Sequence, residues 1–253
     1  MFAEERLEEI LKLVNKEGKV FVKDLSIKFN VSEGMIRKDL QRLENKGSIK
    51  RTYGGAISNR NITINSNINN RIKENTETKL KIAKKAFDII SDNDTIFLDI
   101  SSINYNLASL IANSTKKLTL ITSMSAIPPL FNSNSTCTLI VIGGVYNKDL
   151  GGCIGSETIN TLRKYRFNKA FIGSCGVNLC NSTLCNFDLE EGNTKQAILS
   201  SSRDSYLLIE NEKFYHDGVY TFATLDDIDS IITESTPSNE VIEVLQGHNI
   251  SIF

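Results

Sequence analysis

Three groups of residues in this chain have types and spacings suited to chemistry. The first is basic and polar: Arg37, Lys38, Gln41 and Arg42, followed by Lys50, Arg51 and Tyr53. Arginine and lysine neutralise phosphates or reach guanine, glutamine can read adenine, and the later trio can clamp a flanking sugar–phosphate backbone. The second is a set of small or charged residues at or just beyond the ends of apolar runs: Asp99, Ser101, Ser102, Thr122, Ser123, Gly143, Gly144, Ser174, Glu210 and Lys213. Open parallel sheets bind ligands at the C-terminal ends of their strands. Ser101-Ser102 precede a helix whose free N–H groups suit a phosphate, and Lys213 adds a point charge. Singly, each reads as a strand cap, a turn or a surface lysine; their joint placement favours a pocket. The third group is weaker. Cys175, Cys180 and Cys185 are five apart, wider than the gaps in structural zinc pairs, so they read as buried or incidental thiols and no metal site is expected. His216 and His248 lack a nucleophile in any recognisable motif and read as surface histidines. Asp188, Glu190, Glu191 and Lys195 fall on one helix near that pocket, as a gate or as a solvated i,i+4 face.

The elements that must position the first group are short and local. Leu7, Ile10, Leu11 and Val14 recur at helical spacing, giving an amphipathic helix over Glu4–Lys16 stopped by Gly18. Val22, Leu25 and Phe29 mark a second helix, and Asn30-Val31-Ser32 a tight break in which Ser32 caps a third. In that third helix Ile36, Leu40 and Leu43 face inward, leaving Glu33, Arg37, Lys38 and Gln41 outward; Asn45-Lys46-Gly47 closes it. Residues 49–53 read as a strand running into the Gly54-Gly55 turn of a wing. Two short helices and a break match the helix-turn-helix plan, whose second helix enters the major groove.

Asn59–Asn75 holds seven asparagines and no apolar period, and reads as a linker. Beyond it strands alternate with helices: helix 79–90, strand 95–99, helix 104–112, strand 118–122, a short helix from Ser125, then strands at 138–142 and 170–174. A helix over 188–201, strands at 206–210, 219–223 and 230–233, a helix from Asn239 and a final strand at 249–253 complete the series. This texture predicts a parallel-rich α/β sheet covered on both faces. The chain shows no Gly-x-Gly-x-x-Gly opening a helix and no phosphate loop, so no dinucleotide or nucleotide cofactor is expected.

Composition bounds the rest. At 253 residues, with 40% hydrophobic and 23% charged residues and a net charge of −1, the chain is an ordinary globular mixture rather than a disordered one. Its apolar runs are too short to cross a bilayer, and the acidic cluster Glu4-Glu5…Glu8-Glu9 around Arg6 is no secretory signal. An odd count of five cysteines fits a reduced, cytoplasmic setting. Between Gly34 and Gly55, however, six basic residues stand against Asp39 and Glu44 alone, a basic spot suited to a polyanion at one end of the molecule.

Val31-Ser32-Glu33-Gly34-Met35-Ile36-Arg37-Lys38-Asp39-Leu40, then Leu43-Glu44, Gly47 and Arg51-Thr52-Tyr53-Gly54-Gly55-Ala56, resemble the N-terminal signature of the DeoR family of bacterial transcriptional regulators. Met35 stands where the family has threonine. The resemblance continues through Arg71, Lys79-Leu80-Lys81-Ile82-Ala83, Leu98-Asp99, Thr122, Gly143-Gly144, Gly155 and Lys213-Phe214. It implies a sensor domain similar to ribose phosphate isomerases that binds a phosphorylated sugar or related metabolite. Three segments depart from the family: Ser101 and Ile103 replace a glycine and a threonine after Asp99, Ser123 replaces an asparagine after Thr122, and Glu212 sits beside Lys213. Each removes a donor, restricts the backbone or adds a negative charge.

The expectation is therefore an N-terminal winged helix-turn-helix (1–57), a linker (58–75) and a parallel-rich α/β effector-sensing domain (76–253). Ser32, Glu33, Met35, Arg37, Lys38, Gln41, Arg42, Lys50, Arg51 and Tyr53 are the candidate contacts to a double-stranded DNA operator. Asp99, Ser101, Ser102, Thr122, Ser123, Gly143, Gly144, Ser174 and Lys213 are the candidates for a small-molecule effector. The assembly expected is a dimer or tetramer, since helix-turn-helix proteins read paired half-sites. The alternatives are a ligand-independent regulator with a vestigial sensor, and an isomerase-like enzyme using Asp99, Glu191 and Lys213.

Overall fold

The computed structural model describes residues 2–17, 19–58, 61–62 and 67–253. The chain divides into two compact units, Met1–Asn61 and Ile62–Phe253. In the first, α1 (Ala3–Glu17) leads to a short strand β1 (Lys19–Phe21), α2 (Val22–Phe29), α3 (Glu33–Asn45) and the hairpin β2 (Ile49–Thr52) and β3 (Gly55–Ser58). The expected helix stop at Gly18 lies outside the described residues. The apolar stripes converge as their spacing requires: Leu7, Ile10 and Val14 of α1, Leu25 of α2 and Ile36, Leu40 and Leu43 of α3 share one core with Val20, Ile49 and Ala56. Between α2 and α3, Asn30 takes the left-handed conformation (φ 52°) that ends a helix, and Ser32 caps the next by accepting from Met35 N–H at 3.3 Å. Strand β1 was not legible in the sequence; it pairs with β3, whose Gly55 lies so close that a Cβ would stand 2.0 Å from the Val20 carbonyl oxygen.

Asparagine-rich 59–75 is not wholly irregular. Asn67 caps a helix α4 (Ile68–Lys73), accepting from Asn69 N–H at 3.0 Å, and Ile68 is buried. Residues 59–60 and 63–66 of the expected linker lie outside the described residues. Then follow α5 (Thr76–Ile89), β4 (Thr95–Leu98), α6 (Ser102–Ala112), β5 (Thr119–Thr122), β6 (Thr138–Val141), α7 (Ser156–Leu162), β7 (Phe167–Ile172), α8 (Leu189–Ser201), β8 (Ser202–Leu208), β9 (Ser230–Ile232), α9 (Asn239–Gly247) and β10 (Ser251–Ile252).

The seven strands β4–β10 form one parallel sheet in the order β10-β9-β8-β7-β4-β5-β6. Period-two alternation sends Ile96 and Leu98 to the face packed by Ile82, Ala86, Leu107 and Ile111 of α5 and α6. Phe97 and Ile172 face the other side, with Ala197, Ile198, Val241 and Leu245 of α8 and α9. Two expectations fail. The helix from Ser125 is only a 3₁₀ turn, Pro128–Leu130, because Pro128 and Pro129 lack the N–H groups a longer helix needs. The strand near 219–223, observed at Tyr220–Thr224, joins Gly176–Asn178 and Thr183–Asn186 in a separate antiparallel sheet, outside the parallel one. A second antiparallel pair, Val145–Asn147 with Gly152–Ile154, was also not foreseen.

Candidate DNA-binding face and effector cavity

Helix α3 keeps Ile36, Leu40 and Leu43 inside and turns Ser32, Glu33, Met35, Arg37, Lys38, Gln41 and Arg42 outward, all exposed. Asp39, next to exposed Lys38 in sequence, is buried and takes an ion pair from Arg6 Nε at 2.7 Å. That bond ties α1 to α3, a role for Arg6 that the sequence reading missed. Glu33 is occupied on the surface by Arg37, at 2.5 Å. On the wing, Lys50 and Arg51 are exposed and Tyr53 at the turn is fully so. Glu44 braces the wing to α3, accepting from Arg51 N–H at 2.9 Å. The first group of residues is thus assembled on α3 and the adjoining hairpin.

In the sheet, β5 and β6 lie to one side of β4 while β7 to β10 lie to the other, so the chain reverses direction between β4 and β7. Loops leaving the two strands diverge there and open a crevice. A cavity of about 150 Å³ occupies this point, walled by the segments after β4, β7 and β8 together with α4 and α8. Of the nine expected effector residues, Ser101, Ser102, Ser174 and Lys213 line it, as does Glu210. Asp99 lies beneath, buried, accepting from Gly173 N–H at 2.9 Å, from Asn104 Nδ2 at 2.6 Å and from Lys195 Nζ.

Thr122, Ser123, Gly143 and Gly144 do not line it. Thr122 ends β5, Ser123 follows it, and Gly143 and Gly144 follow β6, all on the side of β4 away from the reversal, where they serve the fold. Thr122 Oγ1 donates to the Leu98 carbonyl at 2.8 Å, and the Ser123 carbonyl accepts from Cys153 N–H at 2.9 Å. Thr158 Oγ1 donates to the Gly143 carbonyl at 3.1 Å, and a Cβ on Gly144 would meet Thr158 Oγ1 at 2.0 Å.

The cavity also gathers Arg71, Asn75, Lys79, Asn186 and Phe187, which the sequence does not place in it, and on α8 Glu191 and Lys195, which the sequence sets near the pocket as a gate or a solvated face. Glu191 and Lys195 form no solvated face; both are buried, 3.3 Å apart, with Lys195 also on Asp99. Burial of Lys195 disfavours its charge, but Asp99 and Glu191 outweigh that and hold its pKa up. Burial raises the Glu191 carboxyl despite Lys195 and Arg71. Lys79, its pKa lowered by burial, donates to the Arg71 carbonyl and to that of Glu74 at 2.8 Å. Asn75 Nδ2 donates to Glu210 Oε1 at 2.8 Å, and Lys213 pairs with Glu212 at 2.8 Å. Asn186 ends an unforeseen strand and Phe187 follows it; Arg71 and Lys79 carry a signal as landmarks of the family resemblance, and Glu191 and Lys195 as charges on one helix.

Cys175 and Cys185 are buried side by side, the Cys175 thiol donating to the Cys185 carbonyl at 3.1 Å, while Cys180 is exposed; no group of metal-ligating residues occurs among the described residues. Burial pushes the Cys175 thiol up to about 12, which disfavours the thiolate. His248 does have partners, contrary to expectation: its Nε2 lies 2.8 Å from Ser182 Oγ and its Nδ1 2.6 Å from Asp226. Asp226 is 74% exposed there, and the chain of bonds fastens the end of α9 to two turns. No helix among the described residues is long and apolar enough to cross a membrane.

Residues 6–61 match the DeoR-like helix-turn-helix domain, and residues 74–235 match the DeoR C terminal sensor domain. The HTH-type transcriptional regulator IolR of Bacillus subtilis is 29% identical over 98% of this chain and 97% of its own. The lactose phosphotransferase system repressor of Staphylococcus epidermidis is 33% identical over 91% of this chain and 92% of its own. Among solved structures, ribose 5-phosphate isomerase A of Methanocaldococcus jannaschii is similar with a TM-score of 0.41, 17% identity and coverage of 55% of each chain.

Proposed function

Because this chain belongs to the DeoR family of DNA-binding transcriptional regulators, we propose that it represses a sugar or carbohydrate operon in the cytoplasm under control of a phosphorylated sugar or related metabolite. The observation that carries the DNA half is the polarity of α3: an apolar face locked in the core and an opposite face of Met35, Arg37, Lys38, Gln41 and Arg42 in solvent. Such a helix, capped at its N-terminus and followed by a basic wing, enters a major groove while Lys50, Arg51 and Tyr53 hold the flanking backbone. The effector half is supported by the cavity at the sheet reversal, whose lining joins four cations to four carboxylates. An effector acts only if it binds unequally to the DNA-competent and released arrangements. A homo-oligomer follows from the pairing of operator half-sites.

The test is fluorescence anisotropy of the full chain on its own upstream DNA, at two salt concentrations, with and without phosphosugars. Specific, salt-sensitive binding released by one sugar phosphate is the expected result. Binding that no sugar phosphate alters leaves a ligand-independent regulator. Turnover of a pentose or hexose phosphate by the same protein would replace the repressor with an enzyme.

A further inference from the structure

The cavity holds four cations, and three are already engaged. Lys195 is spent on Asp99 and Glu191, Lys79 on the carbonyls of residues 71 and 74, and Lys213 on Glu212. The N-terminus of α6 is partly consumed too, since Ser101 Oγ accepts from Asn104 N–H at 3.2 Å. Arg71 differs. Its Nε and Nη2 are shut off from solvent and meet no acceptor among the described residues, while its guanidinium lies 6.0 Å from the Phe187 ring centre. Across the same cavity two more groups are orphaned. Asn186 is 1% exposed with neither side-chain Nδ2 nor Oδ1 satisfied, and Glu191 is 4% exposed with Oε2 unpaired. Unmet buried polar groups are costly and rare, and here they cluster in one cavity on facing elements.

We propose that Arg71 receives the anionic group of the effector, while Asn186 and Glu191 Oε2 receive the hydroxyls next to it. The assignment rests on the effector-cavity reading above and moves the anion away from Lys213 and the α6 N-terminus. A ligand that bridges Arg71 and Glu191 needs acceptor oxygens at one end and hydrogen-bond donors at the other. A sugar carrying a phosphate ester or a carboxylate has both, and a neutral sugar lacks the first. Arginine suits the anion because its planar fork gives two parallel donors. Arg71 also lies on α4, the first helix described after residues 63–66, so a ligand held there is tied to the segment that leads back to the DNA-binding unit.

Thermal unfolding of the full chain with glucose 6-phosphate, gluconate, inorganic phosphate and glucose tests this in the wild type, Arg71→Met, Arg71→Lys and Lys213→Met. The wild type is expected to be stabilised by the phosphate ester or by the carboxylate, whichever the cavity takes, and not by glucose. Arg71→Met should abolish the response, and Arg71→Lys, which keeps the charge without the fork, should weaken affinity at least about tenfold, the scale of one charged hydrogen bond. The lysine variant covers the case in which the methionine variant does not fold. The loss in Lys213→Met should be smaller than in either. A larger loss in Lys213→Met than in the Arg71 variants would overturn the assignment and leave the phosphosugar reading standing. Stabilisation by glucose alone would overturn it as well. A wild type unmoved by all four probes would remove the effector reading, and Arg71 with it.

Discussion

Arg37 and Lys38 stand in solvent on α3. The surface pair of Arg37 with Glu33 is worth little, so it yields readily to a phosphate. Arg37→Ala and Lys38→Ala should each weaken operator binding and lower the slope of log affinity against log salt by about one for each phosphate no longer neutralised; unchanged titrations for both would remove α3 as the reading helix. Asp39 is a different kind of residue. Asp39→Ala leaves the Arg6 charge buried without its partner, a loss of about 3–5 kcal/mol that thermal unfolding of the DNA-binding unit should register. In the cavity wall, burial holds the Glu210 carboxyl above its ordinary 4.5, against Asn75, Lys79 and Lys213. As pH climbs from 4.5 toward that raised value, the folded carboxyl stays protonated while the unfolded one ionises, so stability falls across the window and then levels. Glu210→Gln keeps an oxygen for Asn75 and has no such slope. It should match the wild type below about pH 4 and gain on it as pH rises, and parallel melting curves would sink the shift.

At the scale of elements, two glycines of the DNA-binding unit should respond oppositely to alanine. Gly34 sits in α3 with open space around it, its nearest would-be Cβ contact being Ser32 Oγ at 3.9 Å. Gly34→Ala should stabilise the unit by roughly 0.4–1 kcal/mol, since alanine fits this first-turn position without strain and lowers the entropy of the unfolded chain. Gly55→Ala drives a Cβ into the Val20 carbonyl and should unpair β1 from β3, lowering both stability and operator binding. The helices of this unit were legible because their apolar spacing is regular and their ends are marked by Ser32, Asn30 and Gly47. Strand β1 was not, because three residues carry no period. Helix α8 was legible as a helix but not in its burial. Its buried face carries Glu191, Thr194 and Lys195 beside Ala197 and Ile198, while Glu190, Gln196 and Ser200 are exposed, so residue polarity does not separate the buried face from the solvent face.

For the whole molecule, two compact units imply two unfolding steps rather than one. Calorimetry of the full chain should resolve them, with Asp39→Ala lowering one step and an anionic effector raising the other. A ligand at a hundredfold excess over its Kd adds about 2.7 kcal/mol to the state that binds it. A single transition that both perturbations move together would show the units to be coupled in folding.

Local sequence dictates the DNA-binding head and the class of the second unit. The core of the head is drawn from residues between Leu7 and Ala56, so capping, helical period and the glycine turn suffice to put Arg37 and Lys38 in solvent on α3 and a hairpin after it. Alternating apolar strands and helices likewise require a covered parallel sheet. The cavity was decided only in three dimensions. Its walls come from residues as far apart as Arg71 and Lys213, and they meet because β7 inserts beside β4 rather than beyond β6. Local periodicity encodes that a strand forms, not which neighbour it pairs with. The sequence could therefore name strand ends as ligand sites, but only the strand order separated Ser101, Ser174 and Lys213, at the reversal, from Thr122 and Gly144, which hold the fold together.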